Sequence, residues 1–504
     1  MKKSLFSLSL LLAAASAIAE NPCVQTCYTT DPAPMVHDGR LYVYTGHDED
    51  NASFFEMFEW RVYSTVDMVN WTDHGSPLSL EDFSWADDRA WAPQCIERNG
   101  KFYLYVPVHS KLTGAMAIGV AVSDSPTGPF KDAIGKPLVD GNWAYIDPTV
   151  FIDDDGQAYL YWGNPDIYLV KLNEDMISYS GKVEKLKQTP ESFGTPPNNS
   201  DSKSSYTEGP WYYKRNGIYY LVYAAGGIPE HIAYSTSDAP TGPWTYGGII
   251  MPSIGWLNSF TNHPGIVDFM GNSYFFYHSG NLPGGGGFDR SICVEQFEYN
   301  ADGTIPSINP TKTGPQPVAF LNPYGRVEAE TMAWSEGVGT SQNDAVGVYV
   351  DKVHDGDYIK VSNVDFSDEG AVSFGACVAG KLKGNQIKVF LDSKKGELVA
   401  KADVPPTNDD ETWEYFETPT LKEITGVHDV YFVFSGSIKN KALFNFDYWT
   451  FKTAESSVEI NNANSSHVVV FNLMGVKILE TDDKAKISSL PKGIYIINGR
   501  KVLI

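Results

Sequence analysis

Five segments of the chain share a tight turn followed by a run of aromatic and β-branched residues: HDGRLYVYTG, RNGKFYLYVPV, DDGQAYLYWGN, RNGIYYLVYAA and MGNSYFFYHSG. Runs of this kind, bounded by turn residues, are typical of β-strands. Consecutive turn glycines lie 54 to 61 residues apart, at Gly39, Gly100, Gly156, Gly217 and Gly271. Such a spacing is found in repeat architectures, and each repeat has room for about four short strands, the size of one propeller blade. The pattern therefore predicts an all-β fold that begins with a five-bladed β-propeller.

A short motif that ends in proline stands eight or nine residues before each of these glycines. The five motifs are Asp31-Pro32, Trp91-Ala92-Pro93, Asp147-Pro148, Glu208-Gly209-Pro210 and His263-Pro264. Proline suits the start of a strand, where its fixed φ and missing N–H matter least. Rotation about a propeller axis would bring equivalent positions to one mouth of the central channel. A single acidic residue before a strand is usually a turn or cap residue, but three in equivalent positions indicate a site.

Three carboxylates in one partly dry funnel cannot all ionise freely, because each anion raises the pKa of its neighbours. Glu208 has an aromatic sequence neighbourhood, YTEGPWYY, which we expect to favour its protonated form and hence a role as general acid. Asp31 and Asp147 have more polar neighbours, so one is expected to activate water and the other to orient the acid. An acid and a base on opposite sides of a glycosidic bond indicate glycoside hydrolysis, with inversion when water fits between them.

Three further residues each have a functional and a structural interpretation. Trp91 is either a stacking face for a sugar or a buried blade tryptophan. Arg290, which follows the loop NLPGGGGFD, either hydrogen-bonds a sugar hydroxyl or forms a surface ion pair. His263 is either a satisfied core residue or a ligand that helps to hold a hydrated cation on the axis.

Composition narrows the class of protein and its location. The 504 residues carry 62 acidic and 38 basic side chains, a formal net charge of −24, and no basic stripe is present, so nucleic-acid binding is not expected. Two lysines, an apolar run and Ala17-Ile18-Ala19 predict an export signal at residues 1–19. No later apolar run has the length of a membrane span. The five cysteines are expected to be buried thiols, with one disulfide at most.

The repeat motifs resemble those of glycoside hydrolase family 43, inverting enzymes on a five-bladed propeller. The likeness covers about Asn21 to Pro323 and includes DPAPMVHDGRLYVYTGHDED, YIDPTVFIDDDGQAYLYWG and TEGPWYYKRNGIYYLVYAAG. It implies Asp31 as general base, Asp147 as the residue that tunes and orients the acid, and Glu208 as general acid. It also implies that Arg290 contacts substrate and that His263 stands beside a central calcium ion.

Within that family, TGHDED and the appended domain resemble arabinoxylan arabinofuranohydrolases, which remove arabinofuranosyl side groups from xylan. The alternative within the same fold is a β-xylosidase. An alternative of another class is a non-catalytic carbohydrate-binding propeller. The presence of all three carboxylates speaks against that reading, because sugar binding alone does not require an acid and a base.

From about Tyr324 the chain resembles a family 6 carbohydrate-binding module, a β-sandwich of the jelly-roll type. The segments are GRVEAETMAWSEGVGT, GVYVDKVHDGDYIKVSNVDF, ETWEYFETP and FNFDYWTFK. The resemblance implies that Tyr349 and Trp413 sandwich a sugar ring and that Asn445 hydrogen-bonds it. It also implies a structural calcium held by acidic residues: Glu328, Glu330 and Asp447. The structural alternative is that Tyr349 and Trp413 only pack the sandwich.

The expected domains are a signal peptide (1–19), the propeller (20–323), the sandwich (324–453), and a linker with a small β domain (454–504). The last of these resembles bacterial sorting domains. We expect a monomer, secreted or held at the bacterial cell surface, that acts on arabinoxylan or a related plant cell-wall polysaccharide. Calcium is the expected cofactor, and no organic cofactor is expected.

Overall fold

The computed structural model describes residues 20–198, 200–454, 468–472, 477–482, 486–487, 490, 494–497 and 500–503. The expected signal peptide (1–19) and the expected polar linker (455–467) lie outside the described residues. Strands dominate the described residues. Three short helical elements accompany the first part of the chain: 3₁₀ turns at Leu80–Asp82 and Gly255–Leu257, and α1 (Pro190–Phe193).

Five antiparallel sheets follow one another along the first 300 residues. The first contains β1 (Tyr28–His37), β2 (Arg40–Asp48), β3 (Glu59–Thr65), β4 (Trp71–Asp73) and β5 (Leu78–Ser79). The second contains β6 (Ala86–Asp88), β7 (Gln94–Arg98), β8 (Lys101–Ser110), β9 (Ala115–Ser123), β10 (Lys131–Asp132) and β11 (Val139–Asp140). The third contains β12 (Thr149–Ile152), β13 (Ala158–Trp162), β14 (Tyr168–Leu172) and β15 (Tyr179–Lys185). The fourth contains β16 (Tyr206–Arg215), β17 (Ile218–Ala225), β18 (His231–Ser237) and β19 (Thr245–Met251), and the fifth β20 (Gly265–Phe269), β21 (Asn272–Ser279) and β22 (Ser291–Phe297).

These sheets are the five blades, so the predicted all-β propeller is confirmed. The five repeat glycines occupy the turns of the hairpins β1–β2, β7–β8, β12–β13, β16–β17 and β20–β21, with φ between 73° and 84°. Glycine adopts such angles without steric cost. The fifth blade has three described strands instead of the expected four or so. The segment before β1 lies along β22, where Cys23 N–H donates to the Ile292 carbonyl (2.8 Å) and closes the ring.

Two copies of the sequence SDxPTGP, at Ser123–Pro129 and Ser237–Pro243, join neighbouring blades. The Tyr44 hydroxyl of the first blade donates to the carbonyl of Pro126 in the second (2.6 Å). In the same way, the Tyr161 hydroxyl of the third blade donates to the carbonyl of Pro240 in the fourth (2.6 Å). Both tyrosines belong to the apolar runs of the repeat. Each ring fills space between two blades, and the hydrogen bond satisfies its hydroxyl group.

Two antiparallel sheets form the second domain, a β-sandwich as predicted. One consists of β23 (Val327–Glu328), β26 (Gly339–Asn343), β27 (Gly347–Asp351), β29 (Ala371–Ala379), β32 (Glu414–Ile424) and β34 (Asn445–Lys452). The other consists of β25 (Trp334–Glu336), β28 (Tyr358–Asp365), β30 (Gln386–Leu391), β31 (Glu397–Asp403) and β33 (Val427–Ser435). Buried aromatic residues such as Phe432 and Trp449 fill the space between the sheets.

The sandwich is joined to the first blade by a shared sheet. Strand β24 (Thr331–Met332) pairs with β4 of the propeller. Next to this pair, the buried Asn70 amide donates to the Ser362 carbonyl and accepts from the Ser362 N–H, both at 2.8 Å. The Thr340 hydroxyl donates to Asp73 at 2.7 Å. Backbone and side-chain hydrogen bonds therefore fix the two domains against each other.

The end of the chain contributes a small antiparallel sheet, in the order β36-β35-β37-β38. Its strands are β35 (Val468–Phe471), β36 (Lys477–Thr481), β37 (Ile494–Ile497) and β38 (Arg500–Leu503). A helix of the length and apolarity needed to cross a bilayer does not occur among the described residues. All five cysteines are free thiols, and Cys27 Sγ lies 3.2 Å from the Tyr63 hydroxyl.

Candidate active site

The proline-ending motifs of all five blades converge on the axis. They line a narrow cavity of about 20 Å³, with Asp31, Ala92, Asp147, Gly209, His263 and the prolines that follow them in its wall. This volume is enough for about one water molecule. We call the mouth of this cavity the funnel and define it by Asp31, Asp147, Glu208 and His263.

Backbone bulges aim the acidic side chains into the funnel. Asp31 and Asp147 have φ of 52° and 58°, which non-glycine residues seldom adopt, and Gly209 has φ of 56°. The pairing of β1 with β2 shifts register between Thr30 and Ala33, and that of β16 with β17 shifts on both sides of Glu208. A bulge of this kind turns a side chain out of the regular alternation of a strand, toward the channel.

Asp31 lies among hydrogen-bond donors and cations. Its Oδ1 accepts from the Thr30 hydroxyl (2.9 Å) and lies 3.3 Å from His278 Nδ1, 3.4 Å from His263 Nδ1 and 3.4 Å from Arg290 Nη1. Burial by itself would raise the pKa of Asp31, but the charges of His263 and Arg290 hold it well below its ordinary value. Asp31 is therefore an anion at neutral pH.

Arg290 is buried, with 3% of its surface exposed. Its Nε and Nη2 atoms each donate to the Asp48 carboxylate at 2.8 Å, and Nη1 points to Asp31. The reading of Arg290 as a surface ion pair is therefore wrong, because the pair with Asp48 lies inside the fold. Arg290 holds Asp31 in its ionised form.

His263 connects the carboxylates of the funnel. Its Nδ1 lies 3.4 Å from Asp31, and its Nε2 lies 3.4 Å from Glu208 Oε1 and 3.9 Å from Asp147 Oδ2. Burial lowers the pKa of His263, but Asp31, Asp147 and Glu208 together raise it to about 10. His263 is therefore a cation at neutral pH.

Asp147 and Glu208 form a close pair, with oxygens that lie within 4.8 Å of each other and of a His263 nitrogen. Asp147 Oδ2 accepts from the Gly209 N–H at 3.0 Å. Burial raises the pKa of Asp147 to about 7, helped by the charge of Glu208 and opposed by that of His263. Near neutral pH the pair therefore shares one proton.

The residues that act on the pKa of Glu208 are not its aromatic neighbours in the sequence. Burial raises the pKa of Glu208, but hydrogen bonds from His263 and Asn164 and the His263 charge bring it below its ordinary value. The aromatic residues near it in sequence point elsewhere, since the Trp211 indole donates to the Ile266 carbonyl at 3.0 Å. Glu208 is still the most open of the three acids, with 15% of its side chain exposed against 4–5% for the others.

Trp91 lies at the rim of the funnel and is half-buried. Its indole N–H donates to the Phe55 carbonyl (3.0 Å), and its ring contacts Phe54 and Phe55. The guanidinium of Arg89 lies 5.6 Å from the Trp91 ring and 5.4 Å from the ring of Trp143. The structure therefore gives Trp91 a packing role on one side of its ring and leaves part of its surface open at the rim.

Three residues that support the funnel lie at the end of the second strand of a blade. The sequence reasoning missed this position. They are Asp48 in TGHDED, Asn164 in YWGN and His278 in FYHSG. Because the second strand runs antiparallel to the first, its end lies beside the start of the inner strand. Polar residues after the apolar run of each repeat are the signal that would have found them.

Glu230 is a fourth acid near the funnel. It is 2% exposed, its Oε2 accepts from the Asn262 N–H at 2.8 Å, and its Oε1 has no hydrogen-bond partner. Burial, with the charge of Glu208, raises the pKa of Glu230 well above its ordinary value. Glu230 is therefore a neutral acid beside the catalytic group.

Residues 19–305 match the family model described as glycosyl hydrolases family 43. The chain belongs to this family. It is 35% identical over 497 residues to the arabinoxylan arabinofuranohydrolase of Bacillus subtilis (strain 168), covering 86% of this chain and 92% of that one. Xylosidase/arabinosidase 43A of Humicola insolens is 33% identical over 57% of this chain and 99% of its own length.

Solved family 43 structures extend the comparison. A Bacillus subtilis arabinoxylan arabinofuranohydrolase in complex with cellotetraose has a TM-score of 0.75 and 33% identity, over 88% of this chain and 100% of that one. A β-xylosidase/α-arabinofuranosidase from a compost metagenome, with xylotriose in a calcium-free form, has a TM-score of 0.52 and 33% identity over 58% and 98%. The family 43 domain of this chain is thus a glycoside hydrolase domain.

Residues 328–453 match a carbohydrate-binding module of family 6. In this module the rings of Tyr349 and Trp413 meet at 66°, with centroids 5.1 Å apart. The two rings touch edge to face, so this placement lacks the gap between parallel rings that the sequence predicted. Asn445 is nearby at the start of β34, where its amide donates to the Asp410 carbonyl at 2.9 Å. The rings form a corner that can cover one face of a sugar.

Two of the three acidic residues that were predicted to hold calcium in the module pair with an arginine. Arg326 Nη2 lies 2.7 Å from Glu328 and 2.9 Å from Asp447. Glu330 is buried, and its Oε2 has no hydrogen-bond partner. Among the described residues, the one group of three acids, histidines or cysteines with ligand atoms within 4.8 Å of one another is Asp147, Glu208 and His263.

Proposed function

We propose that this glycoside hydrolase removes α-L-arabinofuranosyl side groups from arabinoxylan with inversion of configuration. The observation that carries the proposal is how charge is divided in the funnel. Ionised Asp31 lies beside one nitrogen of His263, and the Asp147–Glu208 pair, which shares one proton, lies beside the other nitrogen. Relatives aligned through both domains support arabinoxylan as the substrate. The Bacillus subtilis relative, aligned over 86% of this chain, is named an arabinoxylan arabinofuranohydrolase.

The two catalytic carboxylates have a separation that suits inversion. Asp31 and Glu208 each lie 3.4 Å from opposite nitrogens of the His263 ring. Because those nitrogens are roughly 2 Å apart, the two carboxylate oxygens lie no more than about 9 Å from each other, an upper limit that is compatible with the range of about 6.5 to 9.5 Å that leaves room for water.

Each acid then has one task. Asp31 takes a proton from the attacking water, and the water oxygen bonds to the anomeric carbon from the face opposite the leaving group. Glu208, the most open acid, donates a proton to the leaving oxygen as the glycosidic bond breaks. Asp147 lies close enough to Glu208 to return the shared proton to it and holds the Gly209 N–H (3.0 Å), which fixes the backbone behind the acid.

We also propose a calcium ion beside His263. The test of fit is the donor set: two carboxylates and one imidazole lie within 4.8 Å of one another, and two of these residues, Asp147 and His263, line the cavity of about 20 Å³. Carboxylate oxygens are ligands that calcium prefers, and the ion would take the place of the proton of His263 as the positive charge among the acids. The three acidic residues of the sandwich, Glu328, Glu330 and Asp447, fit a calcium ion less well, because Arg326 already pairs with two of them. The unpartnered oxygen of Glu330 is the observation that supports a cation there.

The second candidate is a β-xylosidase activity on the same propeller. A β-xylosidase and a xylosidase/arabinosidase align over about the length of the propeller, and another xylosidase/arabinosidase aligns over 81% of this chain, whereas the two relatives aligned over 86% are named for arabinose removal. Product analysis on wheat arabinoxylan by NMR separates the two. Arabinose with inverted anomeric configuration supports the proposal, and xylose as the only product contradicts it.

We propose further that the enzyme is exported and acts as a monomer at or outside the cell surface. The lysines and apolar run at residues 1–19 support export, and the second domain supports work on an insoluble polymer. Tethering by that domain would raise the local concentration of substrate. Fractionation of the native host and size-exclusion chromatography with light scattering test the two statements.

A further inference from the structure

His263 stands on a connection between strands and not within one. Residues 258–264 link the 3₁₀ turn at Gly255–Leu257 to β20 and form no strand pairing. A residue inside a sheet is fixed by the hydrogen bonds of its ladder, whereas a residue in a connection depends on groups that bond the backbone around it. The position of His263 among the three acids is therefore set by the groups that hold residues 258–264.

Glu230, the residue before β18, bonds this connection at two points. Its backbone N–H donates to the Phe260 carbonyl at 3.0 Å, and its side-chain Oε2 accepts from the Asn262 N–H at 2.8 Å. The two bonds lie on either side of Thr261, so they fix both the position and the direction of the chain there. Because Asn262 directly precedes His263, a shift of the Asn262 backbone also moves the imidazole. From the fourth blade, Glu230 thus clamps the connection that carries His263.

Within the fifth blade, the same connection is bonded at Thr261. The Thr261 carbonyl accepts from the Ser259 hydroxyl at 2.8 Å and lies 2.9 Å from Nε2 of His278. Without the side chain of Glu230 these bonds would remain, and the end of the connection next to His263 would lose the bond that anchors it. The effect of Glu230 is therefore local to that end.

Small movements of His263 have large consequences in this site. Its Nδ1 lies 3.4 Å from Asp31, and its Nε2 lies 3.4 Å from Glu208. The ring also packs against Gly209, where a Cβ would lie 3.0 Å from the imidazole. Electrostatic energy in a buried site changes steeply with distance, and a displacement of about 1 Å can cost a factor of about 10² in rate. The anchor of His263 therefore bears on kcat.

The carboxyl group of Glu230 suits this task. The residue is 2% exposed, and its Oε1 has no hydrogen-bond partner. Burial and the charge of Glu208 raise the pKa of Glu230 well above its ordinary value. The carboxyl is therefore neutral, and it gives the Asn262 N–H an acceptor without placing another negative charge beside Glu208. An uncharged glutamine has the same length and also offers an acceptor oxygen.

We propose that Glu230 is a positioning residue for the hydrolytic reaction and holds His263 in place through its bond to the Asn262 N–H. Because Glu230 is buried, it acts behind the funnel and not on the sugar. This inference rests on the proposed function for the sugar that is released, and it adds a residue on which kcat depends.

The first test compares two substitutions of nearly equal size. Glu230→Met removes the acceptor oxygens, and kcat on 4-nitrophenyl α-L-arabinofuranoside should fall about 10- to 100-fold with KM within twofold, because the residue does not touch the substrate. Glu230→Gln keeps an acceptor for the Asn262 N–H and should retain kcat within threefold. A kcat of Glu230→Met within twofold of the wild type would overturn the proposal. A glutamine variant as slow as the methionine variant would also overturn it, since the bond would then not be what matters.

A matched control separates positioning from a general loss of stability. Glu295 in β22 is also buried, and it accepts from the Thr311 N–H at 2.6 Å. Glu295→Met should lower the transition temperature yet keep kcat within twofold, when each variant is assayed well below its own transition. A fall in kcat equal to that of Glu230→Met would assign the effect to loose packing and contradict the proposal. Hydrogen exchange of a peptide covering residues 258–264 should be faster in Glu230→Met than in Glu230→Gln, and equal rates would also contradict it.

Glu230→Asp replaces Glu230→Met if the latter does not fold. The shorter side chain withdraws the carboxyl from the Asn262 N–H, so kcat should fall about tenfold, and a wild-type kcat would reject the clamp. All variants are also assayed on 4-nitrophenyl β-D-xyloside. A wild type that cleaves the xyloside alone rejects the proposed function, while the same order of kcat among the variants on that substrate supports the role of Glu230. Equal kcat among the variants rejects that role whichever sugar is released.

Discussion

At the scale of single residues, the site depends on one imidazole that serves three carboxylates. His263 lies within 3.4 Å of Asp31 and Glu208 and within 3.9 Å of Asp147. A cation in this position allows two of the acids to ionise in a buried space, and the third then keeps a proton. The division of labour between base and acid therefore follows from where His263 stands and not from the neighbours of each acid in the sequence.

Glu208→Gln should reduce the release of arabinose from polymer by about a hundredfold to ten-thousandfold, because general acid catalysis contributes roughly 10² to 10⁴ and the glutamine has no acidic proton to give. Binding of arabinoxylan oligosaccharides, measured by calorimetry, should change little. Glu298→Gln, which alters an exposed glutamate on the last blade, is the control. Retention of most activity by the Glu208 variant would reject its assignment as the acid.

The pH dependence of kcat follows from the shared proton. Because the pKa of Asp147 is raised to about 7, the pair loses its proton as the pH rises through 7, and kcat should fall on that side. The pKa of Asp31 is held low, so protonation of the base should not limit the rate until well below pH 3.8. In Asp147→Asn, a slower enzyme, the limb near pH 7 should move or disappear. An identical limb in this variant would show that another group is responsible.

At the scale of elements, the first strand of each blade, which lies nearest the axis, determines both the closure of the propeller ring and catalysis. Each begins with a bulge or a proline that turns a side chain toward the axis, and the strands then lie so close that small residues are required between them. Gly265 at the start of β20 is an example: a Cβ there would lie 2.5 Å from Pro34 Cδ and 2.6 Å from the Pro32 carbonyl of β1. This contact joins the last blade to the first.

Gly265→Ala should lower the free energy of unfolding by about 1–3 kcal/mol, because the atoms that the methyl group meets belong to a proline ring and a backbone that cannot swing aside. Urea denaturation followed by tryptophan fluorescence measures this. Gly255→Ala is the matched control, since a Cβ at Gly255 meets no atom within 4 Å. Equal stability of the two variants would mean that the first and last blades can move apart without cost.

At the scale of the whole molecule, the propeller and the sandwich form one unit through a shared sheet and buried hydrogen bonds. The β4–β24 pair, the two bonds between Asn70 and Ser362, and the link from Asp73 to Thr340 all lie on one side of the first blade. The corner formed by Tyr349 and Trp413 is thereby held at a fixed place relative to the funnel. This arrangement favours one polymer chain contacting both domains.

Asn70→Ala should leave the backbone N–H and carbonyl of Ser362 without their partners and cost about 1–3 kcal/mol at the interface. Differential scanning calorimetry should show a lower transition temperature and a separation of the propeller and sandwich transitions. Gln296→Ala, which removes an exposed hydrogen bond to Asn272, provides the comparison. A thermogram that matches the wild type would argue against rigid docking.

Trp413→Ala should weaken binding to insoluble arabinoxylan about tenfold, since it removes half of the aromatic corner of the module. A pull-down assay with the polymer measures this, and circular dichroism checks the fold. Tyr431→Ala, at a ring on the opposite sheet of the sandwich, tests whether loss of any aromatic residue has the same effect. If both variants bind as the wild type does, the corner is not the binding site.

Local pattern was sufficient to predict the fold. The alternation of turn glycines with aromatic and β-branched runs is a property of adjacent residues, and its regular spacing fixes the number of blades. The same repeat gives Asp31, Asp147, Glu208 and His263 equivalent positions in the sequence. The missing fourth strand of the last blade could not be read in this way, because the segment before β1 that lies along β22 comes from the other end of the propeller.

The sequence by itself thus determined the blades, the sandwich and the group of acids that face the axis, because these depend on short-range periodicity. Only the tertiary structure decided how the acids are charged, that Arg290 is buried against Asp48, and that Tyr349 and Trp413 touch each other. These properties depend on distances between residues far apart in the chain, and electrostatic energy in a buried site changes steeply with such distances. The charge of the Asp147–Glu208 pair therefore depends on His263, which no neighbour of Glu208 in the sequence could reveal.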